Sequence, residues 1–141
     1  MPPKIVSYSD EHFAGVKALW DEAFPDPKAW NAAHVVIPAK LAVQRDLFLV
    51  AVERDQVVGS AMAGYDGHRG WLYTVAVLEA FRRRGIGSAL VCEAESRLVS
   101  LGCSKINLQI QPSNAAVADF YKTLGYDVEE RISMGKVVGD K

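Results

Sequence analysis

The chain has 141 residues, half of them hydrophobic, and its 16 Lys and Arg against 17 Asp and Glu leave a net charge of −1. That length fits one domain with a normal packed core, and the charge balance excludes a polyanion binder over the whole surface. No apolar run approaches membrane-spanning length and no charged-then-apolar leader is read at the start, so a cytoplasmic protein with no membrane partner is expected. The two cysteines, Cys92 and Cys103, have no metal-type spacing and require no disulfide. Cys92 falls among apolar positions and reads as packing. His12, His34 and His68 are scattered, and no metal is expected.

In chain order, Lys4 to Tyr8 reads as a first strand. Asp10 is placed to cap a helix from about Glu11 to Ala23, with Phe13, Val16, Leu19, Trp20 and Phe24 at helical spacing. Pro25-Asp26-Pro27 breaks it. Lys28 to Arg45 is a second helical region, interrupted near Pro38. Leu47 to Glu53 is a strand by length and β-branched content. After a turn at Arg54-Asp55-Gln56, Val57 to Tyr65 returns. Gly59, Ser60, Ala61 and Ala63 imply a close approach by a neighbouring backbone or helix. A second turn, Asp66 to Gly70, leads to a third antiparallel strand, Trp71 to Val77.

The stretch after that strand organises the rest. Arg82-Arg83-Arg84 is the densest basic cluster, followed at once by Gly85-Ile86-Gly87 and a helix from Gly87 to Leu101. A basic triplet alone is more often a solvated surface. Glycines followed by a helix start tilt the reading toward a phosphate cradle: amides turn inward unobstructed, and the helix adds free N–H donors and partial positive charge. A P-loop is rejected, because no lysine follows the second glycine. A dinucleotide-binding turn is a weak match, lacking its third glycine and lying mid-chain. Gly102 ends the helix. Lys105 to Ile110 is a further strand, parallel to Trp71–Val77 across the helix. Pro112-Ser113-Asn114 opens a helix through Leu124, stopped by Gly125. Tyr126 to Val138 is expected to supply one or two closing strands, and the last few residues to be loose.

The pattern Arg82-x-x-Gly85-x-Gly87 after Val75-Ala76-Val77 resembles the acetyl-CoA loop of the Gcn5-related N-acetyltransferases, the GNAT superfamily. Asn114 to Tyr126 is similar to that family's second signature, N-x-x-A-x-x-F-Y-x-x-L-G-F/Y. Singly, Asn114 reads as a helix cap, Phe120, Tyr121 and Leu124 as a core stripe, and Gly125 as a helix stop. In order, after the first block, they carry the resemblance over Leu47 to Val128. It implies an α/β (α+β) GNAT fold over residues 1–141, with a mixed, mostly antiparallel sheet of six to seven strands and about four helices.

The resemblance further implies an N-acetyltransferase with acetyl-CoA as cosubstrate, no metal, and an amine acceptor attacking directly in a ternary complex. Main-chain groups of Val75, Ala76 and Val77 would hold the pantetheine arm, with an amide near Val75 polarising the thioester. Arg82, Arg83, Arg84, Gly85, Ile86, Gly87 and Ser88 would hold the pyrophosphate, and Asn114 the pantetheine from the other side. Tyr121 would protonate the departing thiolate, since a tyrosine pKa of about 10 lies above that of a typical thiol. A general base is missing. Where some members carry a glutamate on the strand before the cradle, this chain has Trp71 and Tyr73. Where the ribosomal-protein N-terminal acetyltransferases carry one, it has Gln109. Glu79 reads as a loop acid. Phe24, Trp30, Tyr65, Trp71 and Tyr73 are candidate acceptor-pocket aromatics that read more simply as core. The S-M-G-K ending is similar to small bacterial members of the superfamily. A non-catalytic acyl-CoA-binding or regulatory module on the same fold is the alternative. A nucleic-acid binder lacks a basic face. Monomer and homodimer both remain open.

Overall fold

Strand β2 (Phe48–Glu53) is buried on both faces: Phe48, Leu49, Val50 and Ala51 are all fully inaccessible. A strand with no solvent face must have helices on either side, and the structure is built that way. It is a computed structural model describing residues 3–139. Residues 1–108 and 109–141 form two compact units.

In the first unit five strands lie in chain order, β1 (Lys4–Ser7), β2, β3 (Gln56–Tyr65), β4 (Gly70–Val77) and β5 (Ile106–Leu108). The first four pair antiparallel, and β5 joins β4 in parallel through a helical crossover. The β2–β3 turn places Arg54 and Asp55 at φ 51° and 63°, two successive left-handed residues as a tight hairpin of this hand requires. In the next turn, Asp66 Oδ1 accepts the amides of His68 and Arg69 at 2.8 and 2.7 Å.

Helix α1 (Phe13–Ala23) buries Val16, Leu19 and Trp20 against one face of the sheet, and α2 (Ala33–Gln44) adds Ile37 beside Phe48, Val50 and Met62. The expected spacing is met except at Phe24, which caps the helix and is exposed. The cap at the start differs from expectation. Asp10–His12 is a short 3-10 turn, and Ser9 precedes it, its amide bonded to His12 Nδ1 at 3.0 Å. Nor does Pro38 interrupt α2. Pro38 lies on the exposed side, and the carbonyl it leaves without an amide belongs to exposed His34, so the missing bond opens no polar group to the core.

Helix α3 (Ile86–Ser100) covers the other face with Ile86, Leu90, Val91, Ala94 and Leu98, all buried. It ends at Gly102, φ 96°, with the Cys103 amide returning to Leu98 O at 3.1 Å. Cys103 is buried, but Cys92 is exposed: it sits on the solvent side of α3, contrary to its reading as packing. The small residues of β3 have their cause here. A Cβ on Gly59 would stand 2.9 Å from Leu90 Cδ1 and 3.1 Å from the Ala76 carbonyl, so glycine lets α3 lie directly on the strand.

The second unit holds a 3-10 turn, Pro112–Asn114, and helix α4 (Val117–Thr123), closed by Gly125 at φ 95°. The closing strands expected over Tyr126 to Val138 are not formed. Val128, Ile132, Met134 and Val138 are exposed, so this stretch has neither a ladder partner nor a buried face to hold it extended. Among the described residues the four helices match the expected count, and the sheet has five strands rather than six or seven. The expected loose end lies in part on Asp140 and Lys141, outside the described residues.

Gly59→Ala tests the close approach of α3. The added methyl must push on Leu90 and on the β4 backbone, and stability to denaturant should fall by about 1–3 kcal/mol.

Candidate functional site

Strands β4 and β5 pair only from Gly70 to Leu72, against Ile106 to Leu108. β4 runs on to Val77. Within the first unit its last five residues therefore have no strand partner on that side. The phase of the ladder says which groups this leaves. The Leu78 amide bonds Val58 O at 2.9 Å, and Val77 faces Gly59 in the β3 register. Alternate residues point their main-chain groups to opposite edges. Val77, and Val75 in the same phase, thus turn theirs away from β3, while Ala76 pairs toward Ser60.

A bulge follows the paired residues of β4. The β3–β4 register slips between Ser60 and Met62, and Thr74 takes φ 48°. A β-branched residue there is strained, and a buried relay holds it. Ser60, fully buried, donates its hydroxyl to Thr74 O at 3.0 Å and accepts Trp20 Nε1–H at 2.9 Å. Helix α1 therefore acts on β4 by way of a β3 side chain on its own face of the sheet. The sequence reading missed this relay: Trp20 looked like core and Ser60 like spacing.

From Val77 the chain passes through a short 3-10 turn, Glu79–Phe81, whose first amide is held by Glu22 Oε2 at 2.9 Å. Arg83 at φ 65° and Gly85 at φ 80° then turn the backbone into α3. Gly85 is the helix cap, and the first internal bond is Ala89 N–H to Gly85 O at 3.0 Å. Among the described residues, no group accepts from the amides of Arg83, Arg84, Gly85, Ile86, Gly87 or Ser88. This is the start of a helix with its donors free.

The three arginines divide. Arg84 makes a two-pronged pair with Glu53 at the end of β2, 2.6 and 3.3 Å, and lowers that carboxyl's pKa by hydrogen bonding. Arg82 Nε bonds Val77 O at 3.1 Å. Arg83 alone of the three has no side-chain bond among the described residues. Ile86 points into the core, 2 % exposed, and contributes only its amide.

Asn114 and Tyr121 belong to the second unit. Asn114 is exposed, its amide bonded to Gln111 O at 2.8 Å. Tyr121 is buried among Phe120 and Tyr126, ring centroids 4.9 and 5.7 Å away, and burial pushes its pKa up to about 12. Gln109, where a base was sought, is bonded through Nε2 to Ser133 Oγ.

A second feature absent from the sequence reading lies where α2 meets the end of β3. Lys40 is buried, and its Nζ donates to Ala63 O and lies 2.8 Å from Tyr73 Oη. One turn on, the Gln44 amide both donates to Tyr65 O and accepts from Tyr65 N–H, each at 3.0 Å.

A free strand edge running into unsatisfied helix-start amides suits a long ligand with an anionic group at one end, as group-transfer enzymes bind. The chain belongs to the acetyltransferase (GNAT) family, whose profile matches residues 13–126. An acetyltransferase of Pectobacterium atrosepticum is 40 % identical over 129 residues, 92 % of this chain and 91 % of that one. Among solved structures, Ard1 from Thermoplasma volcanium matches with a TM-score of 0.82 and 22 % identity over 92 % of this chain and 85 % of that one. The aminoglycoside N-acetyltransferase AAC(6')-Iy in complex with CoA matches at 0.77 and 20 %, covering 96 % and 94 %. At those identities the structures establish the fold. No described helix is long and apolar enough to cross a membrane.

Ser60→Ala tests the bulge relay. It leaves Trp20 Nε1–H and Thr74 O without their buried partner, and should cost about 1–3 kcal/mol in chemical denaturation.

Proposed function

We propose that the protein transfers the acetyl group of acetyl-CoA to an amine of a small molecule or protein, by direct attack in a ternary complex. The observation that carries this is the β4 edge, unpaired beyond Leu72 and continuous with free amides at residues 83–88. The pantetheine arm lies along Val75, Ala76 and Val77 as an added strand, taking its bonds from Val75 and from the Val77 amide, the Val77 carbonyl being held by Arg82. The thioester carbonyl is polarised by an amide at or beside Val75, a donor fixed in place before charge develops. The pyrophosphate is held by the amides from Arg83 to Ser88, with Arg83 as the cation left to meet it. Arg82 and Arg84 shape the loop through their bonds to Val77 and Glu53.

Asn114 bonds the pantetheine region, a role taken from the family signature. Tyr121 protonates the departing thiolate. Its raised pKa keeps the proton on the oxygen until the thiolate forms. CoA in the complex of AAC(6')-Iy supports the donor, and the name shared with the Pectobacterium relative supports acetyl as the group moved. Thiol release from acetyl-CoA over a pool of amines is the direct test, and silence with every amine would favour a non-catalytic acyl-CoA module.

Gly85→Val should weaken CoA binding about tenfold or more by titration calorimetry. A β-branched residue at φ 80° is strained, and with no relay like that of Thr74 to hold it the cradle must reshape. Unchanged affinity would count against the cradle. Tyr121→Phe should lower turnover by about a hundredfold while CoA affinity stays within a factor of two. Unaltered turnover would remove the tyrosine as the acid.

A further inference from the structure

We propose that Tyr73 and Lys40 form the proton-accepting relay of the acyl transfer, with Tyr73 Oη meeting the acceptor ammonium and Lys40 Nζ taking the proton behind it. This rests on the acetyl-transfer reading and supplies the base that reading lacks.

Position comes first. Tyr73 is the β4 residue immediately before the bulge, two residues from Val75, at which the thioester is polarised. Its side chain lies on the face of the sheet that carries α1 and α2: a Cβ on Gly64 would stand 3.2 Å from Tyr73 Oη. Tyr73 is 40 % exposed, so an incoming group can reach it, whereas Lys40 is 7 % exposed and touches its hydroxyl from behind. Nζ lies 2.8 Å from Oη and 5.3 Å from the ring centroid. The oxygen therefore lies between nitrogen and ring, the geometry of a bond to the hydroxyl rather than of a cation over the ring face.

The bland alternative is that Lys40 merely covers the end of β3. Gln44 argues against it. One turn on, a neutral amide satisfies Tyr65 completely, and another would serve Ala63 O without burying an ammonium. What lysine adds is a titratable nitrogen in contact with an exposed phenol.

The chemistry balances. The acceptor R–NH3+ gives a proton to Tyr73 Oη as the hydroxyl's own proton passes to the lone pair of neutral Lys40 Nζ. The freed amine lone pair attacks the thioester carbon, the C–S bond breaks, and the thiolate takes the proton of Tyr121; the second proton of the attacking nitrogen, lost as the amide forms, restores Tyr121. Lys40 ends as an ammonium and returns its proton to solvent between turnovers. Burial alone lowers the Lys40 pKa to about 8. At pH 7 about one molecule in ten then holds it neutral, against about one in three thousand for an ordinary lysine. Burial raises the Tyr73 pKa, so the phenol passes protons without resting as an anion. Other titratable groups on the surrounding elements stand aside: His34, Arg45 and Asp46 are exposed, Tyr65 ends β3, and Glu53 is paired with Arg84.

The test measures thiol release from acetyl-CoA with two probes: propylamine, charged at neutral pH, and hydroxylamine, neutral there. With wild type, the kcat/KM for propylamine should rise with pH and level off above about 8, where Lys40 has lost its proton. Lys40→Met, Lys40→Arg and Tyr73→Phe should each lose about tenfold or more with propylamine at pH 7 but stay within about twofold with hydroxylamine. Their propylamine profiles should keep climbing past pH 8. Equal losses on both probes would make the pair structural and overturn the relay. Full activity in Lys40→Arg would make Lys40 a fixed charge and overturn it too. Wild-type protein silent with both probes would instead sink the acetyl-transfer reading, and the relay with it.

Discussion

Everything at the site depends on a left-handed Thr74. β5 is three residues long and pairs with β4 over all three, so β4 runs on past it. The bulge lies just beyond those paired residues and reshapes β4 while leaving it bonded to β3. A β-branched residue at φ 48° does not adopt this conformation unaided. Its carbonyl is fixed by Ser60, and Ser60 by Trp20, whose ring stacks on Phe48 at 6.0 Å in the main core. Packing of α1 is thus converted into the direction of a strand on the far side of the bonded ladder. The loop that follows is tied to the same helix by Glu22, so one helix sets both ends of the free edge.

What the sequence made legible was local. Gly59 amid small residues announced the helix that lies on it. Gly85 and Gly102 marked one end each of α3, and the crossover to β5 followed from the helix between two strands. The family signatures pointed to the same loop. Features that join distant residues were not legible. The bulge exists only in a cross-strand register. A serine reads as a spacer until an indole forty residues earlier is seen to bond it. Lys40 looks like an ordinary solvent lysine on an amphipathic helix, and only the end of β3 beyond its pairing with β2 shows why it faces inward. The closing strands failed for a related reason: alternation suggests a strand, but the residues after Tyr126 find no buried face among the described contacts.

The arginine triplet carries a lesson about charge. Three adjacent guanidinium groups invite the reading that all three hold phosphate. Glu53 takes one and the Val77 carbonyl another. The Arg84–Glu53 pair is largely exposed on the arginine side, so its energy is small and its value is geometric: it ties the cradle to the end of β2. Anion binding at such a loop then falls mainly to oriented amides, which cost little to desolvate and are already pointed.

Acid–base chemistry usually calls for opposed carboxylates or a histidine, and this chain offers neither at its candidate centre. Burial by itself separates the two titrations. Removing water disfavours whichever form is charged. For Tyr121 that is the anion, and the pKa rises to about 12. For Lys40 it is the cation, and the pKa falls to about 8. One physical cause, acting on side chains whose charged forms have opposite sign, yields a group that keeps its proton and a group that sheds it, the division of labour that acyl transfer to an ammonium requires. No carboxylate partner is needed for either shift. The lack of a glutamate at position 73 or 109 is then no obstacle to the proposed acetyl transfer, in which Lys40 of α2 is the base we assign.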